Sequence, residues 1–261
     1  GVCGELVQGM LDGAYFLVTC PIDFFGRVRV ELYNGGAGVV APDDCPKAAA
    51  AVRATLAHLG RQELGARLTV NNPIPRSKGL GSSTVDVASA IAATGLALGQ
   101  QLPPAVVGKL ALSVEPTDGL MFPGIVLYDH REGRIFEELG PPPPMEIVAL
   151  DFGGGVDTVE FNRVDRRALW QSLQEDAAEA LRLVRLGVQQ GEPELVGRGA
   201  SISALAAQRV LFKPQLDRVL DFARSVGAVG VNVGHSGTVI GVLLDARQRR
   251  GKSAFRQARQ A

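Results

Sequence analysis

The sequence predicts an α+β protein built as two lobes, and three observations predict it. Segments with the two-residue alternation of strands and segments with the 3.6-residue spacing of helices occur in both halves of the chain. Pro141-Pro142-Pro143-Pro144 is a stiff break between them, dividing an N-terminal lobe at residues 1–140 from a C-terminal lobe at residues 145–261. Between a strand and an alanine-rich helix lies Pro73-Ile74-Pro75-Arg76-Ser77-Lys78-Gly79-Leu80-Gly81-Ser82-Ser83-Thr84, a loop of glycines and hydroxyls. A cleft between two lobes is the usual home of a small-molecule site.

The elements follow in order. Residues 1–8, Tyr15 to Val18 and Arg27 to Leu32 read as strands; in the third, Val28, Val30 and Leu32 alternate with Arg27, Arg29 and Glu31. Lys47 to Leu59 is an alanine-rich helix, and Arg67 to Val70 is a strand feeding the loop. In Thr84 to Leu98, residues Val85, Ala88, Ile91, Ala92 and Leu96 fall on one face at helical spacing, so a buried helix is expected. Pro103 to Leu112 is a helix with proline in its first turn. Ile125 to Asp129 and Arg134 to Glu137 flank His130-Arg131-Glu132-Gly133 as a hairpin. Beyond the prolines, Met145 to Phe152 is a strand, and Asp165 to Gly187 reads as one long helix. Pro193 to Leu205 and Lys213 to Val226 are two more helices. Strands at Val229 to Val233 and Val239 to Leu244 bracket Gly234-His235-Ser236-Gly237-Thr238. The basic stretch Arg247 to Arg259 reads as a solvated terminal helix or tail.

Composition narrows the function. The 261 residues carry 27 basic and 27 acidic side chains, and this zero balance argues against a nucleic-acid partner. Hydrophobic content of 46% with 21% charge is that of a globular protein. No apolar run approaches the roughly 18 residues that span a membrane, so no membrane partner is expected. Gly1-Val2-Cys3-Gly4 reads as chain already entering structure, without a targeting leader. Three cysteines (Cys3, Cys20 and Cys45) without CxxC spacing suit neither a disulfide scaffold nor a zinc site, so buried thiols and a cytoplasmic location are expected. The oligomeric state is left open.

The loop at 73–84 is a phosphate cradle in chemical terms. Gly79 and Gly81 accept positive φ and let a ligand approach the backbone. The free amides of the following helical turn, and the helix dipole, favour an anion. Ser82, Ser83 and Thr84 offer hydroxyls to phosphate or magnesium, and Arg76 and Lys78 add positive charge. It is not a Walker A loop, because the lysine precedes the glycines, nor a dinucleotide fingerprint, because Thr84 stands at the third glycine.

Two other constellations have plain alternatives. Gly234-His235-Ser236 begins like the nucleophile elbow of a serine hydrolase, but an elbow must open into a helix, and here a β-branched run follows. Ser113-Val114-Glu115-Pro116-Thr117-Asp118-Gly119 taken alone is a proline turn with an acidic exit.

Taken together, Cys3-Gly4-Glu5-Leu6-Val7-Gln8-Gly9, Pro75-Arg76-Ser77-Lys78-Gly79-Leu80-Gly81-Ser82-Ser83 and Gly234-His235-Ser236-Gly237-Thr238 resemble, in order, the three motifs of the GHMP kinases. Glu115-Pro116-Thr117-Asp118 and Leu127-Tyr128-Asp129-His130-Arg131-Glu132-Gly133 are similar to its L-threonine kinase branch. The resemblance implies a ribosomal-S5-like N-terminal lobe and a ferredoxin-like C-terminal lobe. It implies ATP and Mg²⁺, with phosphates on Pro75 and Lys78, Gly79, Leu80, Gly81, Ser82, Ser83 and Thr84. Magnesium would be held by Ser83 and Glu115, and Asp118 with Lys78 would be catalytic. Glu5, Gln8, Asp23, Gly234, His235, Ser236 and Gly237 would bind the acceptor. The implied reaction converts L-threonine to O-phospho-L-threonine for the aminopropanol arm of cobalamin. Homoserine is the alternative acceptor, and a non-catalytic nucleotide-binding protein the alternative class. Three departures stand out: Leu6 replaces a common histidine, His235, Ser236 and Thr238 replace glycines, and Glu115 lies unusually close to Asp118.

Overall fold

The computed structural model describes residues 1–36, 38–155 and 163–260. Two sheets organise them. The larger has seven strands in the order β7-β6-β2-β1-β9-β10-β8, every neighbouring pair antiparallel. Its members are β1 (Val2–Leu11), β2 (Ala14–Pro21), β6 (Ile125–Tyr128), β7 (Phe136–Gly140), β8 (Met145–Leu150), β9 (Gly230–Val233) and β10 (Ile240–Asp245). The smaller holds β3 (Arg27–Tyr33), β5 (Gly65–Asn71) and β4 (Val39–Val40), in that order. The large sheet takes strands from both sides of the four prolines, and β1 pairs β9 where Glu5 faces Val233. That pairing brings the first and third motifs together.

Helices α1 (Pro46–His58), α2 (Ser82–Ala97) and α3 (Pro104–Leu112) cover the small sheet. Their alanines and glycines allow close approach: Ala51, Val52, Ala66, Val87, Ala90 and Ile91 are buried in one cluster. Helices α5 (Gln174–Gln190) and α6 (Pro193–Ala207) close one face of the large sheet, joining Leu6, Val7, Phe16, Val18, Leu127, Leu181 and Val184. A third cluster joins α7 (Leu216–Ser225) and α8 (Gly251–Ala258) to β8, β9 and β10. Each fully buried aliphatic side chain contributes roughly 1.5–3 kcal/mol. Among the described residues no helix is long and apolar enough to cross a membrane, and all three cysteines are free and buried.

Three expectations need correction. Helix α2 begins at Ser82, and its buried side runs through Thr84, Val87, Ala90, Ile91 and Thr94, while Leu96 is 63% exposed. The helix is wedged between α1 and β3, and an Asn72–Asp86 bond of 2.7 Å holds a polar residue inward. The long helix expected from Asp165 is broken into α4 (Arg167–Gln171) and α5. The break lets Trp170 and Leu173 both bury against Met10 and Tyr15. Helix α7 starts three residues late: Gln208 holds Lys213 outside it, its Oε1 accepting from the Lys213 amide at 2.7 Å and its Nε2 donating to the Lys213 carbonyl at 3.0 Å. The basic C-terminal stretch forms a short 3₁₀ turn (Ala246–Gln248) and α8, anchored by buried Ala254.

Candidate active site

The cradle loop has the backbone its sequence asks for. Gly79 and Gly81 adopt φ of 85° and 70°, and Gly81 caps α2 with no side-chain bond to the helix amides. Those amides therefore stay free to meet an anion. The loop is stitched on both sides. Val2 N donates to Leu80 O and Gly4 N to Gly79 O, at 3.1 and 3.0 Å, and Val239 N donates to Lys78 O at 2.9 Å. Gly234 and Gly237 press against Gly79: a Cβ on Gly79 would lie 3.1 and 3.3 Å from their Cα atoms. The 234–238 loop thus closes directly on the cradle. Ser236 is followed by strand β10, so the geometry of a nucleophile elbow is absent here.

These loops bound a cleft of about 410 Å³. Pro75, the residues from Gly79 to Thr84, Glu115, Asp118, Glu5, His235 and Ser236 line it. The structure brings Ser83 and Glu115 into contact despite their sequence separation, with Ser83 Oγ donating to Glu115 Oε1. The other carboxylate oxygen accepts from Lys47 Nζ at 2.5 Å. Thr84 Oγ1 lies 3.4 Å from Asp118 Oδ2 and accepts from the Asp118 amide at 3.3 Å. A Cβ on Gly81 would sit 3.3 Å from Asp118 Oδ2, so the carboxyl abuts the helix cap itself.

Burial, reinforced by the charge of Glu115, pushes the Asp118 carboxyl up to about 6. Burial, with Asp118 adding to it, holds Glu5 well above the usual carboxylate range. Burial, with His130 and nearby cations adding to it, keeps His235 neutral. Perturbed acids converging in one cleft mark a functional site.

Some expected residues lie elsewhere. Lys78 turns away from the cleft: its Nζ is 2.9 Å from Asp151 Oδ2 and 2.6 Å from Gly154 O, so its charge is neutralised there. Gln8 is buried behind the wall, 3.2 Å from His235 Nδ1. Asp23 lines a separate, mostly apolar hollow beside Phe24 and Phe25. Gly234 and Gly237 shape the wall rather than line it. Sequence reasoning missed Lys47, Asp44 and Cys45 at the start of α1, and Asp86, all of which line the cleft. Arg76 ties that corner together, reaching Asp44 Oδ2 at 3.1 Å and Cys45 Sγ at 3.3 Å. Pro46 marks a helix start in the sequence. Which cleft that start faces is set by tertiary packing alone.

The chain belongs to the GHMP kinase family and is a kinase. Residues 46–122 match the GHMP kinases N terminal domain, and residues 177–260 match GHMP kinases C terminal. Among its relatives, an L-threonine kinase of Salmonella typhimurium (strain LT2) is 32% identical over 249 residues, 94% of this chain and 81% of that protein. A homoserine kinase of Moorella thermoacetica is 29% identical over 207 residues, 76% of this chain and 69% of the relative. The fold is also that of Methanococcus jannaschii mevalonate kinase, with TM-score 0.71 at 16% identity, covering 95% of this chain and 89% of that one.

Proposed function

We propose that this kinase transfers the γ-phosphoryl group of ATP to the side-chain hydroxyl of L-threonine, giving O-phospho-L-threonine. The observation that carries the acceptor is the 32% identity with an L-threonine kinase over nearly the whole chain. ATP phosphates are assigned to the free amides and hydroxyls of the α2 start, as the helix dipole favours. The acceptor hydroxyl lies toward Asp118, which orients it and takes its proton at a carboxylate oxygen. Phosphoryl transfer passes through a loose transition state, so positioning and charge stabilisation outweigh base strength.

The donor set suits magnesium. Ser83 Oγ and the Glu115 carboxylate are hard oxygen ligands already in contact, and Lys47 supplies positive charge to Glu115 meanwhile. Among the described residues no His, Cys, Asp or Glu gather in threes to hold a metal by themselves, so phosphate and water would complete the shell. When bound, magnesium would shield the phosphate charge. Ser83→Ala is expected to raise the magnesium concentration for half-maximal rate by on the order of tenfold, the scale on which ligand-shell changes act. An unchanged magnesium titration removes Ser83 from the metal site.

Asp118 also sets an expected pH dependence. With its carboxyl near 6 in the free protein, kcat/KM should rise as pH passes through about 6 and level off above it. The Asp118→Asn profile should lack that limb.

The acceptor itself is tested by ADP release with Mg·ATP against L-threonine, L-serine, L-homoserine, mevalonate and galactose. Threonine should lead. Homoserine in the lead favours the reading suggested by the Moorella relative. Silence with ATP still bound favours a non-catalytic nucleotide-binding protein. Supply of phosphothreonine to the aminopropanol arm of cobalamin, in the cytoplasm, is the role we assign to the product; three free thiols suit a reducing compartment.

A further inference from the structure

Beyond the phosphate end, Glu5 and His235 of the cleft wall adjoin buried polar side chains whose bonding capacity the protein leaves open. Glu5 Oε2, Gln8 Nε2 and both ring nitrogens of His130 are buried with no hydrogen-bond partner. They form one group. The rings of His130 and His235 meet edge-on with centroids 4.9 Å apart, Gln8 bonds His235, and His235 lines the cleft together with Glu5. Glu5 and Gln8 are three residues apart on β1 and would face opposite ways on a regular strand. A register shift between Glu5 and Val7 brings both to the His235 side, as bulges beside active sites do.

The turn that carries His130 is firmly built. Asp129 Oδ1 accepts the amides of Arg131 and Glu132 at 3.0 and 3.1 Å, Asp129 Oδ2 accepts that of Arg134 at 3.2 Å, and the Arg131 guanidinium stacks 3.7 Å over the Tyr15 ring. His130 is thereby held inward at 3% exposure. A neutral imidazole carries one N–H and one acceptor nitrogen, and folded proteins rarely leave both buried and unpaired.

Both signs of charge act on this group. Glu5 feels the charge of Asp118, and His235 feels those of Arg131, Lys213 and Arg166. Lys213 is 7% exposed and donates to the Gly237 carbonyl at 2.6 Å, and burial lowers its ammonium to about 8. Carboxyl groups and cations around one buried group are the complement of a zwitterion.

We propose that this inner end is the subsite for an α-amino acid, in which His130 donates a hydrogen bond to the acceptor's α-carboxylate while Glu5 receives its ammonium. The side-chain hydroxyl is then left facing Asp118. The inference rests on the amino-acid acceptor proposed above and names the residues that select it.

The test titrates L-threonine and L-threoninamide into wild-type protein, His130→Ala and His130→Gln without nucleotide, and repeats the comparison by kinetics with Mg·ATP. Wild type should prefer the acid over the amide by about 30-fold or more, the size expected when a polar site loses its matching group. His130→Ala should raise Kd and KM for threonine about tenfold while leaving those for threoninamide and ATP in place. His130→Gln, which keeps an N–H, should recover part of the loss. Equal losses for acid and amide, or an unchanged threonine Kd in folded His130→Ala, overturn the assignment and leave His130 a partner of fixed water. If neither variant folds, the wild-type comparison decides, and no preference for the acid overturns it. Turnover of homoserine rather than threonine with the same preference for acid over amide supports the subsite while overturning the proposed acceptor.

Discussion

Asp118→Asn is expected to lower kcat by about 10² or more, the usual worth of a positioned acid–base group. The carboxyl sits against the cap of α2, bonded to Thr84, in the cleft where the phosphates are assigned. Asn preserves shape and the Thr84 contact but cannot take a proton. The variant also carries an internal control. The folded-state value near 6 exceeds the ordinary 3.8, so between those pH values the folded protein binds more protons than the unfolded chain. Stability therefore falls as pH rises through that window, and ionised Asp118 weakens the fold above it. Asn removes that cost, so the Tm of Asp118→Asn at pH 8 should equal or exceed that of wild type. A dead but stable variant locates the loss in the chemistry. A kcat near wild type removes Asp118 from the mechanism.

Gly237→Ala should be nearly as damaging, for a steric reason. A Cβ at Gly237 would collide with Gly79 N and the Lys78 carbonyl, backbone atoms that cannot rotate aside. Either the 234–238 loop or the cradle must move, and a displacement of about 1 Å at a phosphate site costs on the order of 10² in rate. The expected result is a drop of about that size in kcat/KM, with raised KM for ATP and a far-ultraviolet dichroism spectrum like wild type. Unaltered kcat/KM would mean that the contact between the third motif and the cradle does no work in catalysis. Gly38, where a Cβ would meet nothing within 4 Å and φ is outside the left-handed region, is the matching control for a harmless alanine.

Much of this was legible because the signals are local. Positive-φ glycines, a run of hydroxyls and an alanine-rich helix announce the cradle within a dozen residues, and strand alternation in Arg27–Tyr33 announces β3. What was not legible depends on packing. The buried face of α2 is set by the layers on both sides of it, so periodicity alone chose Leu96 where Thr94 is inside. The helix break before Leu173 follows from a pocket made by Met10 and Tyr15, far away in sequence. Lys78 reads as a phosphate ligand until the fold supplies Asp151 as its partner. Lys47 carries no motif of its own and is placed at the cleft by the start of α1; His130 lies in the 127–133 motif, but only the aspartate-pinned hairpin shows that it turns inward. Glu115 shows the converse: its closeness to Asp118 in sequence looked unsuitable, yet its carboxylate meets Ser83 directly.

The most direct test of the central claim is phosphorus NMR of the product formed from Mg·ATP and L-threonine by the wild-type protein, with Asp118→Asn run in parallel. A phosphomonoester resonance coupled to the threonine β-proton, growing as ATP is consumed and nearly absent with Asp118→Asn, is the result expected. ATP converted to ADP and inorganic phosphate with no ester formed, or ester formed equally by both proteins, would contradict the account.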